Sequence, residues 1–369
     1  MKKIILIIAV LLYIHPILNA QTFWQSLGRP ADSPSVTSEL PRHDQMLQFN
    51  SKGYIYFLAE SGQLFLSTDE GGIWRHLYVN TSLFDNFTTL KIIKNDRIIG
   101  VNWDGQIYNS DDDGQHWYVS GTFRDSLGNV IPCYRFATCQ NGDLLVETFG
   151  DGVHKSTDNG STWSLEAVVV SVGGINVRND GVVFASSEDS FYSSTDNGST
   201  WQVISKIPGA NSSSQASVTC ISFTKGNDLF IGDLVYSIPI DLNQGIWMSS
   251  DNGKTWIPRN SGIETQAVWS IVTDSTGTMW VGTDSGGVFH STDGGSSWTQ
   301  KNDGIINPIS VDVFLGPDSY LYAVTPKGYV FRSNNKITVV TKDMNTIPDH
   351  FTLSQNYPNP FNPSVGAGR

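Results

Sequence analysis

Residues 156–163 read STDNGSTW, and residues 194–201 repeat the same eight letters. The pattern Ser-x-Asp-x-Gly-x-x-Trp occurs six times, with 38 to 55 residues between successive aspartates. A pattern that returns at such an interval indicates repeated units that bury their apolar faces on their neighbours, and this interval is the length of a four-stranded propeller blade. The other copies are STDEGGIW at 67–74, SDDDGQHW at 110–117, SSDNGKTW at 249–256 and STDGGSSW at 291–298.

Each copy lies in the same series of predicted strands. In residues 53–77, GYIYFLAE, QLFLS and IWRHL are separated by SG and TDEGG. Short runs of β-branched and aromatic residues between Gly, Asp and Ser are typical of strands joined by tight turns. A further apolar run precedes each unit, so each unit has four strands. No segment keeps a 3.6-residue period, which predicts an all-β chain with very little helix.

The motif itself is expected to be structural. Asp and Ser side chains accept backbone N–H groups in tight turns, Gly takes positive φ, and Trp buries a large apolar surface between sheets. A calcium loop would need further ligands and a terminal bidentate Glu, which no copy has, so we expect no metal and no cofactor. The predicted structural residues are Asp69, Asp112, Asp158, Asp196, Asp251 and Asp293, with Trp74, Trp117, Trp163, Trp201, Trp256 and Trp298.

These motifs resemble the Asp-box, or bacterial neuraminidase, repeat. This repeat is found in sialidases, sortilin-type receptors, xyloglucan-specific glycoside hydrolases and photosystem II assembly factors. The resemblance covers residues 22–335 and implies a β-propeller. It says little about activity, because enzymes and binding proteins share the repeat.

A seventh, degraded repeat ends near Asn335, which lies 42 residues after Asp293 but has no Trp behind it. The missing strand is found at the other end, where residues 22–27 (TFWQSL) match the segment that follows each motif. We therefore predict a seven-bladed propeller over 21–335, closed by Phe23–Leu27 beside Tyr329–Ser333, which removes free sheet edges. Six blades is the alternative, if the 55-residue interval contains something irregular.

The two ends of the chain carry predicted export signals. Residues 1–20 have Lys2 and Lys3, an apolar core and Ala20 at a cleavage point, as in a signal peptide. After a linker at 336–352, the stretch LSQNYPNPFNPS resembles the opening of the type IX secretion C-terminal sorting domain, of which 353–369 would be a truncated start. An extended proline linker is the plainer alternative. We expect passage through the periplasm, the secretion machinery as a partner, and a secreted or outer-surface location.

Charge and cysteines limit the function classes. The formal net charge of −12 argues against a nucleic-acid partner, and the apolar N-terminal run is too short for membrane insertion. Cys133, Cys139 and Cys220 are an odd number without metal-ligand spacing, so buried free thiols are expected. We expect the mature chain to be a monomer.

Candidate ligand contacts lie on the face opposite the motif turns. In a propeller, this face carries the turns between second and third strands and the connections between blades. The resemblance implies that ligands bind there, near the axis. Acidic and aromatic residues can bind sugars, although charged turn residues are often simply solvated. The candidates are Trp103, Asp104, Phe149, Asp151, Glu188 and Asp284, with Glu60 and Asp189 in the same set of turns, an enlarged turn at 233–244, and the connection residues Asp85, Phe123, Arg124, Asp125, Glu264 and Asp303.

Non-catalytic recognition of a glycan or an extracellular protein is the predicted function, with no catalytic residue. The residues do not fit a sialidase. Sialidases hold the substrate carboxylate with three arginines, whereas only Arg135 lies clearly within a predicted inner strand of this chain. A hydrolase of neutral polysaccharides needs only a carboxylate pair and is the alternative. A purely structural repeat protein is a third option.

Overall fold

Seven four-stranded antiparallel sheets form the fold, and no described residue is helical. In this computed structural model the described residues are 22–30, 46–59, 61–78, 87–125, 127–148, 150–167, 173–187, 189–208, 215–236, 245–263, 267–325 and 327–337. They belong to the unit Met1–Thr338. The predicted leader at 1–20, most of the linker and the sorting segment at 353–369 lie outside them.

The blades follow one another along the chain. Blade 1 contains β2 (Leu47–Phe49), β3 (Ile55–Leu58), β4 (Leu64–Ser67) and β5 (Arg75–Leu77). Blade 2 contains β6 (Phe87–Ile92), β7 (Ile98–Asn102), β8 (Gln106–Ser110) and β9 (Tyr118–Thr122). Blade 3 contains β10 (Cys133–Thr138), β11 (Leu144–Thr148), β12 (Gly152–Ser156) and β13 (Ser164–Ala167). Blade 4 contains β14 (Ile175–Val177), β15 (Val183–Ser186), β16 (Ser190–Ser194) and β17 (Gln202–Lys206).

The last three blades include the one that closes the ring. Blade 5 contains β18 (Gln215–Phe223), β19 (Leu229–Tyr236), β20 (Gly245–Ser249) and β21 (Ile257–Pro258). Blade 6 contains β22 (Val268–Thr273), β23 (Met279–Thr283), β24 (Val288–Ser291) and β25 (Thr299–Gln300). Blade 7 contains β26 (Asp312–Leu315), β27 (Leu321–Val324), β28 (Val330–Ser333) and β1 (Trp24–Ser26).

The seven-bladed prediction is confirmed, and the six-bladed alternative is wrong. The 55-residue interval belongs to one complete blade, in which β18 and β19 are 9 and 8 residues long. Strand β1 pairs with β28 through Trp24–Ser333 and Ser26–Phe331, so the N-terminal strand closes the last blade as expected.

The apolar core lies between blades rather than at the axis. The first strands of successive blades contact one another from blade 1 to blade 7, which places these strands innermost. Seven clusters of buried side chains each join two neighbouring blades, and Phe57 of blade 1 packs with Val324 and Val330 of blade 7. The ring is therefore continuous through the closing blade.

The six motif turns share one hydrogen-bond pattern. In the first copy, the Ser67 hydroxyl donates to Asp69 Oδ1 and accepts the N–H of Gly71, each at 2.8 Å. Asp69 Oδ1 also accepts the N–H of Ile73 at 2.8 Å. The residue before the motif glycine has φ between 56° and 69° in all six copies, and it is Asn, Asp or Gly in every copy except the first, where it is Glu70. The motif residues thus satisfy the turn's own backbone.

Basic residues connect neighbouring blades at these turns. Lys52 of blade 1 lies 2.5 Å from Asp113 of the blade 2 motif, and Arg178 of blade 4 donates to Asn252 of the blade 5 motif at 2.6 Å. Such bonds hold adjacent sheets in one register. The further pairs are Arg97–Ser161, Lys155–Ser199, Arg259–Ser296 and Arg332–Glu70.

The three cysteines, Cys133, Cys139 and Cys220, are buried and form no disulfide bond. Among the residues described, no helix is long and apolar enough to cross a membrane.

Candidate ligand-binding face

The rim face, as defined here, consists of the turns between second and third strands and the connections from each blade to the next. It lies opposite the motif turns, because a motif turn always joins the third strand of a blade to the fourth. In an antiparallel sheet, consecutive turns alternate between the two ends of the strands. The predicted contact residues therefore belong to one face of the ring.

Trp103 and Asp104 occupy the two-residue centre of a tight turn between β7 and β8. The N–H of Gly105 donates to the carbonyl of Asn102 at 3.0 Å, and the Asn102 side chain accepts the N–H of Gln106 at 2.9 Å. The turn is thus fixed at both ends. Asp104 is exposed, and the side chain of Trp103 is 39% exposed.

Residues 123–125 and 127–131 of the connection from blade 2 to blade 3 form a small hairpin, which we call the connecting hairpin. It packs directly on the Trp103 turn: the N–H of Phe123 donates to the carbonyl of Gly105 at 2.8 Å. The contact is so close that a Cβ on Gly105 would lie 2.7 Å from the carbonyl oxygen of Ile131. Gly105 also has φ of +64°, so glycine suits this position on both counts.

The buried ring of Phe123 anchors the connecting hairpin to blade 3. Its centroid lies 5.1 Å from the His154 ring and 5.5 Å from the Trp163 ring, both in edge-on contacts. These geometries are the favoured ones for aromatic pairs. The hairpin is therefore held between two blades, together with the turn that it covers.

Asp151 lies beside this anchor and is buried. Its Oδ2 is 3.6 Å from His154 Nε2, and His154 Nδ1 is 3.5 Å from the hydroxyl of Thr148. Burial lowers the pKa of His154, while the neighbouring Asp151 carboxylate acts in the opposite direction. The position of Asp151 suits it to orient His154 and the base of the connecting hairpin.

Asp284, on blade 6, is half-buried and holds a different connection. Its Oδ1 accepts the hydroxyl of Ser310 at 2.9 Å, and its carbonyl accepts the N–H of the same residue. These bonds fix the connection from blade 6 to blade 7. Asp284 lies three blades away from Asp151, so the structure does not bring all the predicted contacts into one cluster.

The enlarged turn predicted at 233–244 begins later than expected. Asp233 is fully buried within β19, opposite Val218 and Gly245, because the strand continues to Tyr236. In the sequence, an Asp after apolar residues indicates the end of a strand, and for this reason the turn was predicted to begin at Asp233. Residues 237–244 lie outside the described residues, as do the predicted contacts Phe149 and Glu188.

Two charged side chains on the first two strands of blade 3, Arg135 and Glu147, were not among the predicted contacts. Arg135 of blade 3 donates to the carbonyl of Thr219 in blade 5 at 2.8 Å, passing the end of blade 4. Glu147, directly opposite Arg135 in the sheet, accepts the N–H of Gly173 at 3.2 Å. Burial, and to a lesser extent the charge of Glu147, raises the pKa of the Cys133 thiol. The sequence signal that could have identified Glu147 was a carboxylate within a predicted apolar strand.

Comparisons with known proteins agree with this fold. Residues 234–359 match the DUF6242 beta propeller domain. That segment is about a third of the chain. No curated protein matches the chain in sequence.

Solved structures with the same fold share little sequence with the chain. A structure of YCF48 bound to D1 peptide is 16% identical with a TM-score of 0.64, and the match covers 86% of this chain and 97% of that one. The extracellular domain of a proposed hybrid two-component system from B. thetaiotaomicron is 12% identical with a TM-score of 0.63, over 86% of this chain and 42% of that one. PorZ, a surface component of the type IX secretion system of Porphyromonas gingivalis, is 13% identical with a TM-score of 0.54, over 82% and 48%. The chain therefore spans less than half of the last two proteins, and the likeness establishes the fold.

Proposed function

We propose that this chain is an exported, non-catalytic recognition propeller that binds a glycan or an extracellular protein through the rim face. Trp103 is its main contact, with Asp104 as a polar contact. Asp151 and Asp284 support the loops around them, and Phe149 and Glu188 remain proposed contacts.

The observation that carries the proposal is the fixed, solvent-facing turn of Trp103. Turn and connecting hairpin are joined by backbone hydrogen bonds, so the indole is presented from a rigid base. A pre-organised contact loses little conformational entropy on binding. Tryptophan combines a large flat apolar surface with low side-chain entropy, which suits stacking on a sugar or on a peptide side chain.

The bonds made by Arg135 and Glu147 favour recognition over hydrolysis. Arg135 and Glu147 both bond to the backbone of other blades, and these bonds span blades 3, 4 and 5. Groups that hold the ring together are poor candidates for a carboxylate pair that must exchange protons with a substrate. One similar propeller is described as bound to a peptide, and others are extracellular or surface proteins, which adds support to a binding role.

A polysaccharide panel tests this function directly. Purified protein should bind at least one member, or a protein ligand, without releasing reducing sugar. Trp103→Ala should then weaken binding about tenfold or more, as expected for truncation of a central contact. Release of reducing sugar at a rate that survives repurification would instead support the hydrolase alternative.

Export is the second part of the proposal. Mass spectrometry of protein from the native secretion pathway should find a mature N-terminus near Gln21. Retention of Met1 to Ala20 in the exported protein would contradict it.

A further inference from the structure

The connecting hairpin, which is hydrogen-bonded to the Trp103 turn through Phe123 and Gly105, exposes two apolar side chains. Leu127, at its tip, is 85% exposed, and Val130 is 44% exposed. Single exposed apolar residues are common on protein surfaces. These two and Trp103, however, lie on two backbone segments that are hydrogen-bonded to each other. Neighbouring exposed apolar groups of this kind mark interaction sites.

The tip of the hairpin is held rigidly in the conformation that exposes Leu127. The Asp125 carboxylate accepts the N–H groups of Leu127 and Asn129 at 2.9 and 2.8 Å. The N–H of Gly128 donates to the carbonyl of Asp125 at 2.9 Å, and Arg124 donates to the carbonyl of Gly128 at 2.7 Å. Leu127 therefore cannot fold back onto the protein without breaking several bonds. Because its backbone is already ordered, insertion of Leu127 into a partner costs little additional backbone entropy.

The surroundings of this tip are acidic. Asp104 is exposed beside Trp103, and a hydrogen bond from the Asn129 side chain helps to hold the pKa of Asp125 below its usual range. The guanidinium of Arg124 is turned onto the backbone of the hairpin itself. With a net charge of −12 on the whole chain, the local and overall fields both attract a basic partner.

The chemistry of the exposed groups selects between partners. A sugar ring can stack on Trp103, but its hydroxyls gain nothing from Leu127 or Val130. An extended polypeptide can place apolar groups against Trp103, Leu127 and Val130 and exclude water from them.

We propose that Trp103, Leu127 and Val130 form a docking site for an extended polypeptide segment that carries a large apolar side chain flanked by lysine or arginine. This inference rests on the proposed function, because it uses the same face and the same tryptophan. It narrows the ligand from a glycan or a protein to a basic, apolar peptide segment.

Selection from a random 12-residue peptide library displayed on phage tests the docking site. The library is first depleted on the Leu127→Ser variant, which removes peptides that bind elsewhere on the protein. It is then selected on wild-type protein. We expect enriched peptides to combine Leu, Ile, Met or an aromatic residue with Lys or Arg. A synthetic copy of the most enriched peptide should bind Leu127→Ser at least tenfold more weakly than wild type, and Trp103→Ala likewise. Its binding should also weaken as salt rises.

Ile73→Ser is the matched control. Ile73 is 73% exposed but lies in a motif turn, on the other face, so its replacement should leave peptide affinity within about twofold. Both serine variants should keep the wild-type melting temperature, since each removes an exposed side chain.

Three results would overturn the docking site: no enrichment over the Leu127→Ser variant, enrichment of acidic peptides, or equal affinity of wild type and Leu127→Ser. If a glycan is bound in a manner that depends on Trp103 but not on Leu127, the proposed function stands and the docking site fails. If peptides bind and depend on neither residue, both fail.

Discussion

The indole nitrogen of Trp24 donates a hydrogen bond to the main-chain carbonyl of Lys301 at 2.7 Å. Trp298 and Trp74 make the same bond to Arg259 and Leu27, at 2.8 and 3.0 Å. In each case the acceptor lies just after the outer strand of the preceding blade. Trp24 is thus the tryptophan missing from the seventh repeat. Leu27, the residue that follows this N-terminal strand, is the acceptor for blade 1.

Replacing Trp24 tests this closure. Trp24 is 1% exposed, so Trp24→Ala should lower the free energy of unfolding by about 3–5 kcal/mol. Trp24→Phe keeps an aromatic ring but loses the indole donor, so its cost should be smaller, with about 1 kcal/mol from the hydrogen bond. Urea unfolding followed by fluorescence measures both. An unchanged midpoint in Trp24→Ala would mean that the closing strand contributes little to the ring.

Any side chain at Gly105 should lower the free energy of unfolding, because Gly105 lies where the Trp103 turn meets the connecting hairpin. Gly105→Ala places a Cβ 2.7 Å from a backbone oxygen at φ of +64°, so backbone must shift. Gly128→Ala in the connecting hairpin is the matched control, because φ is +85° but nothing lies within 4 Å of the new Cβ. Both variants incur about 1 kcal/mol of conformational strain, and Gly105→Ala should lose about 1–3 kcal/mol more. Equal midpoints in urea would contradict the close contact.

Acid should weaken the motif turns. The hydroxyl and the N–H of Thr200, with the Ser194 hydroxyl, lower the pKa of Asp196 to about 2. A carboxyl whose folded pKa is depressed stabilises the fold above its unfolded pKa, near 3.8, and loses this contribution as pH falls toward 2. Thr200→Val removes one donor, so the pKa of Asp196 should rise and this loss should occur at higher pH. Carboxyl NMR titration would show it, and an unshifted Asp196 resonance would contradict it.

His154 should make stability fall in weak acid. Burial lowers its folded pKa below the usual value of 6.5. The unfolded chain therefore binds more protons, and the free energy of unfolding should decrease as pH falls below about 6.5. His154→Gln should reduce the difference in melting temperature between pH 7.5 and pH 5.5. If His154→Gln keeps the wild-type difference in melting temperature, His154 is not the cause of the loss of stability in acid.

The blade count and the closing strand could be predicted because the repeat is carried by local chemistry. Ser, Asp, Gly and Trp at fixed spacing specify a turn and a packing surface without long-range information, so Asn335 and Trp24 could be placed in register. The contacts on the rim face were harder. Trp103 and Asp104 were placed in an exposed turn, but the burial of Asp151 depends on His154 and Phe123, which only the ring brings together.

The contact of Arg135 and the position of Asp233 show the same limit. Nothing near Arg135 in the sequence indicates that its partner is the carbonyl of Thr219, 84 residues later. The enlarged turn was placed too early, because an Asp at position 233 favours a turn locally while pairing with Val218 and Gly245 extends the strand. In both cases, contacts between residues that are distant in the sequence determined the structure.

The pairing of Trp24 with Ser333 joins positions at opposite ends of the ring sequence. Six blades consist of consecutive residues and can form as the chain is synthesised. Blade 7 combines β1 with β26, β27 and β28, so it can be completed only after these last strands are made. The closing step therefore carries the largest loop-closure entropy in the molecule, and it should come late in folding. Until then, β28 keeps an open edge, which a second chain could pair with through its own N-terminal strand. A circular permutant that places residues 22–30 after residue 337 would remove this delay and the risk of strand exchange between molecules.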